Sequence, residues 1–117
     1  MFMAQSQCIR IPLVAEHAEA FVAWLSSLSN RRDELKEILA GEGMFAELAF
    51  VERRNGETAL ILYTRARDLA EANAAFERSQ HPIDLEMKKW QVSAFDLAHT
   101  TTLDIVLELG QPDALAP

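Results

Sequence analysis

The chain alternates between two hydrophobic periods, and the switches mark its elements. Ile9, Ile11 and Leu13 share one face of a strand predicted over Gln7 to Leu13, with Cys8 and Arg10 on the other face. From Ala15 the spacing lengthens. Ala18, Phe21, Leu25, Leu28, Leu35 and Leu39 recur at three- and four-residue steps, which predicts one long helix that Gly41-Glu42-Gly43 ends. Two strands follow, Phe45 to Arg53 and Thr58 to Arg65, joined by Arg54-Asn55-Gly56-Glu57, where Asn-Gly supplies the positive φ angles of a tight hairpin.

Ala59-Leu60-Ile61-Leu62-Tyr63 is apolar on both faces, so both sides of the sheet need cover over its middle. Asp68 and Glu71 form a capping-box pattern that opens a short helix with Leu69, Ala72 and Phe76 inward, ending near Ser79. His81-Pro82-Ile83-Asp84 starts another, with Pro82 at the first helical position and Asp84 at the positive end of the helix dipole, leading into Met87, Trp90, Gln91 and Ala94. Thr101 to Leu109 returns to alternation and predicts a half-buried last strand with Leu103, Ile105, Leu107 and Leu109 on one face. Gly110 to Pro117 has no period and is expected to be a mobile tail.

This order, βαββαβ, places the chain in the α+β class as a ferredoxin-like sandwich: four antiparallel strands with helices on one face, in a single domain over residues 1–117. Helices on one face leave the other bare, and a second copy is its simplest cover. By analogy with dimeric α/β barrels, which pair through open sheet faces, a homodimer is expected.

Composition narrows the function classes. With half its 117 residues apolar, the chain can build a core without disulfide or metal staples. Eleven Lys plus Arg against eighteen Asp plus Glu give a net charge of −7 with no basic patch, which argues against nucleic acid. The first residues lack the basic start and apolar block of a secretory signal, and no window holds the roughly twenty apolar residues that cross a bilayer. Cys8 is the single cysteine and cannot form an internal disulfide, so a cytoplasmic location fits best.

Arg32 is the most informative polar residue, because it falls within the apolar stripe of the long predicted helix. A charge there needs a partner, and Leu28, Ser29, Leu35 and Lys36, its helical neighbours, supply no carboxylate. Three readings stand: a salt bridge to Asp84 or Asp104, a solvent-facing residue if Ser29-Asn30 breaks the helix, or an arginine that grips a ligand anion between helix and sheet. Arg31, with Glu34 three residues on, reads as an ordinary surface residue.

His81 and Asp84 lie one turn apart and form either an imidazole–carboxylate pair for proton transfer or simple helix caps. Tyr63, Trp24 and Trp90 line a pocket or fill a core. His17, His81 and His99 with one cysteine do not match metal spacing, so neither a metal nor a cofactor is expected. Nucleotide and serine-hydrolase motifs are absent.

Ser79-Gln80-His81-Pro82-Ile83-Asp84 resembles a motif of the small bacterial family called domain of unknown function 6176. Ile9-Arg10-Ile11, the Arg31-Arg32 pair, the Glu47 to Glu52 strand with Phe50, and the acidic, glycine-bearing hairpin are similar in type and order. The family's second histidine, three residues after the aspartate, is Met87 here. The resemblance implies a ferredoxin-like, dimeric fold and no known activity.

Two functions are therefore expected from different classes. One is a homodimer that binds a small organic ligand between helices and sheet, with cofactor-independent acid–base chemistry: Arg32 holds an anion, His81 moves a proton, Asp84 orients it and Tyr63 shapes the pocket. The other is a non-catalytic dimerisation or interaction module in which these residues close a structural network.

Overall fold

A computed structural model describes residues 4–110. Its sheet is organised by the hairpin between β2 (Met44–Arg54) and β3 (Glu57–Ala66). Asn55 (φ 54°) and Gly56 (φ 76°) both adopt the left-handed conformation that the tight turn requires. β1 (Gln5–Pro12) pairs antiparallel with β3, and the short β4 (Thr101–Leu103) pairs with β1. The sheet order β2-β3-β1-β4, entirely antiparallel, is that of a ferredoxin-like α+β fold.

Four helices complete the chain: α1 (Ala18–Ser27), α2 (Arg32–Gly41), α3 (Leu69–Arg78) and α4 (Pro82–Ala94). Asp68 caps α3 by accepting the Glu71 N–H at 3.1 Å, and Pro82 opens α4 at a position where its missing N–H costs nothing. The core lies between the sheet and α1 and α4. Ile11, Leu13 and Leu60 meet Phe21, Ala94 and Phe95, and the rings of Phe21 and Phe95 pack edge to face at 5.1 Å.

Strand register divides the sheet into two unlike faces. Ile9 and Ile11 lie opposite Leu62 and Leu60 on the helix side, and Val51 continues that row onto β2. On the open side, Leu48, Tyr63, Cys8 and Leu103 form a row across all four strands, with Phe50 and Ile61 beside it. Leu48 and Phe50 are about half exposed, at 48% and 53%. The two-sided apolarity of β3 is therefore real, and among the described residues only one face carries helices.

Two sequence expectations are corrected. The long helix is interrupted by a 3-10 turn at Leu28–Asn30. Ser27 and Ser29 hydroxyls donate to the carbonyls of Trp24 (2.5 Å) and Ser26 (3.0 Å), competing with the helical ladder, and Arg31 leaves helical geometry (φ −120°, ψ 47°). The last strand is shorter than its alternation suggests. It pairs only over Thr101–Leu103, and Val106, Leu107 and Leu109 beyond it are exposed. Of the expected mobile tail, residues 111–117 lie outside the described residues.

Candidate functional site

A polar layer interrupts the helix–sheet interface at one end. Gln7, Thr64 and Glu47 stand opposite one another on β1, β3 and β2, on the same face as Ile9, Leu62 and Ala49. Toward this row the end of α2 brings Glu42, and the first turn of α4 brings Asp84. Asp84 is 4% exposed and Glu42 9%. The two carboxyls lie near enough for a protonated Glu42 to donate to Asp84.

The electrostatics follow from burial without a compensating cation. Desolvation first, then the hydrogen bond to Asp84 and repulsion from Asp84 and Glu47, push Glu42 up to about 8. Burial also raises Glu47, helped by repulsion from Asp84 and opposed by the Thr64 hydroxyl. Glu47 nevertheless keeps solvent contact. Glu47 and Ala49, two residues apart on the same face of β2, are both exposed at their strand's edge.

Asp84 Oδ2 is buried with no hydrogen-bond partner. Lys88 is the cation whose field reaches Glu42, but its Nζ is held by the carbonyls of Glu77 (3.0 Å) and Ser79 (3.1 Å) and lies over the Phe76 ring. Among the described residues no three His, Cys, Asp or Glu side chains converge to hold a metal ion. The arrangement can store a proton on Glu42, pass it to or from Asp84, and accept donors from a bound molecule.

The four residues singled out by sequence do not meet. Arg32 is exposed at the start of α2, because the 3-10 turn resets the helix phase, and it lines an open groove formed by residues 29–34. It makes no salt bridge to Asp84 or Asp104. Tyr63 lies on the open sheet face, on the opposite side from Asp84, with its hydroxyl 3.3 Å from Ser6 Oγ. His81 caps α4: Nδ1 accepts the Ile83 N–H at 3.2 Å, while Nε2 stands 3.6 Å from Glu37. Of the two readings of His81, the structure shows the helix cap, and Asp84 lies beside Glu42.

Arg31, read as a surface residue, is instead a structural tie. It bonds Glu34 at 2.9 Å and reaches across to Glu86 on α4 at 2.9 and 3.1 Å, while Trp24 donates to the same Glu86 at 2.8 Å. The guanidinium holds the carboxyls of Glu34 and Glu86 below the usual range. Glu42 carried no sequence signal beyond its place in the Gly41-Glu42-Gly43 helix stop, and Glu47 sat within an unremarkable strand.

Residues 4–112 match a family model described as a family of unknown function, DUF6176. The chain belongs to this family. No curated protein and no solved structure matches it. The matched span of DUF6176 takes in the whole polar layer, from Gln7 through Glu42, Glu47 and Thr64 to Asp84. It also takes in His81-Pro82-Ile83-Asp84, the motif that carried the resemblance, in which His81 now has a capping role and Asp84 an inward one.

Proposed function

We propose that this DUF6176 member is a homodimeric, small-molecule-binding α/β-barrel domain in which Glu42, packed beside Asp84 and the Glu47–Thr64 row, holds a proton for acid–base chemistry. The observation that carries this reading is Asp84, 96% buried by its 4% exposure, with Oδ2 unpartnered and no cation bonded to it. A buried carboxyl of this kind costs stability, and an apolar side chain there would not. Carboxyls kept at a cost to stability favour a functional site over a purely structural one, and Glu42 is a better proton carrier here than His81, which caps α4.

The dimer rests on the open face. Leu48, Phe50 and Leu103 leave an apolar patch exposed on this face, the kind of surface that a partner covers. Its rim charges are already paired, Arg10 with Glu52 and Glu57 and Arg65 with Glu108, so two such faces approach without the repulsion that a charge of −7 would otherwise bring. The unbridged Cys8 on this face suits a reducing bacterial cytoplasm. A second reading, a non-catalytic dimerisation module, is favoured by the open face taken without the polar layer.

Native mass spectrometry of the purified protein separates the two. The proposal expects twice the chain mass with a small co-purified adduct that Asp84→Ala loses. A dimer without an adduct in any preparation supports the module, and a bare monomer contradicts both.

A further inference from the structure

We infer that residues 104–109 are the docking segment of the dimer: Leu107 and Leu109 of each copy pack on the bare patch formed by the partner's Leu48 and Phe50. This rests on the homodimer proposed above, and it names the surface that each copy offers the other. Glu108 fixes the place of the segment. Ser6 and Arg65 are paired in register, two residues along from Cys8 and Tyr63, and so share their open face. Ser6 Oγ stands 3.0 and 3.1 Å from the two carboxylate oxygens of Glu108, and Arg65 Nη1 donates to Ser6 Oγ at 2.9 Å and to Glu108 as well. The chain beyond β4 is therefore tied to the open face beside β1, by a guanidinium whose side chain is only 13% exposed.

The tied segment turns apolar side chains to water. Leu107 and Leu109, on either side of Glu108, are 74% and 83% exposed. Leu48 and Phe50 also stay about half exposed, on β2, at the opposite edge of the sheet from β4. Three strand spacings, about 14 Å, separate those edges. One face thus carries an apolar segment on one side and a bare apolar patch on the other, and a two-fold axis between them sets each segment on the other copy's patch. The patch alone is too small. A stable interface buries about 800 Å² on each partner, and even a large aromatic side chain supplies at most about 250 Å², so partly exposed Leu48, Phe50 and Leu103 leave most of that area to be found. Because Glu108 already holds the segment in the protomer, docking it costs little ordering entropy. Glu108 is neutralised by Arg65, and Glu52 and Glu57 beside the patch by Arg10, so the contact does not set these carboxylates against one another.

The test mixes two charge variants of the full chain, Phe50→Lys and Leu107→Glu. Both positions are exposed in the protomer, so each variant is expected to keep the parent's circular dichroism. Leu48→Lys, at the neighbouring patch position, takes the place of Phe50→Lys if that variant fails to fold. In native mass spectrometry at micromolar concentration the parent is expected at two chain masses and each variant alone at one. An equimolar mixture is expected to regain two chain masses, with one copy of each variant, because the new ammonium on one copy then meets the new carboxylate on the other. A mixture that stays monomeric, or either variant dimerising alone as the parent does, would overturn the docking segment while the parent's dimer keeps the homodimer reading. A monomeric parent would overturn both.

Discussion

His81 and Asp84, one helical turn apart, face different surroundings: His81 Nδ1 accepts the Ile83 N–H at 3.2 Å, whereas Asp84 is buried against Glu42. The histidine thus stabilises the start of α4, and the aspartate belongs to the buried polar layer. His81→Ala is expected to cost about 1 kcal/mol in denaturant unfolding, the usual worth of an N-cap, and His81→Asn to recover most of it. Both should leave ligand binding intact. If His81→Ala abolishes binding while the fold persists, the division of roles between the two residues is wrong.

Stability should depend on pH through Glu42. Its folded pKa is raised above its unfolded value, so the folded state binds the proton more tightly. The resulting stabilisation is full below the ordinary carboxyl range and is lost as pH rises toward about 8. Thermal melts should therefore show stability falling from pH 5 to pH 8.5, with Glu42→Gln flattening the slope and melting above the parent at the alkaline end. A parent slope unchanged in Glu42→Gln would place the pH dependence elsewhere.

Adjacent arginines should behave differently. Arg31→Ala breaks contacts to Glu34 and Glu86 and so unties the start of α2 from α4, and a measurable loss of thermal stability is expected, smaller at high salt. Arg32→Ala, at an exposed position outside that network, should melt with the parent. Equal losses from the two would contradict the phase reset at Leu28–Asn30.

A charge on the open face should separate the copies. Phe50→Lys, at a position 53% exposed in the protomer, is expected to convert a dimer to a folded monomer in light scattering across the micromolar range. A parent that is already monomeric there, or a variant that stays dimeric, removes the open face as the interface.

Much of the fold was legible because its signals are local. Asn55-Gly56, Asp68 with Glu71, and Pro82 each act within a turn, and strand alternation assigns Ile9 and Ile11 to one face without knowledge of their partners. The helix break was harder to read, since the Leu28 to Leu39 spacing fits an unbroken helix and only serine back-bonding opposes it. That one misread phase promoted Arg32 over Arg31. The polar layer was illegible for a different reason. Glu42, Glu47 and Asp84 come from three elements, and their proximity depends on β2–β3 register and on where α4 lands. The alternation of Ile105, Leu107 and Leu109 predicted pairing, but the ladder with β1 stops at Leu103, although β1 itself runs on to Gln5.

The raised affinity of Glu42 for its proton underlies the proposed site. Carbon-detected NMR titration of the Glu42 side-chain carboxyl follows that proton directly. The account predicts a midpoint near 8 in the ligand-free protein. A Glu42 carboxyl that titrates in the ordinary carboxylate range would contradict it.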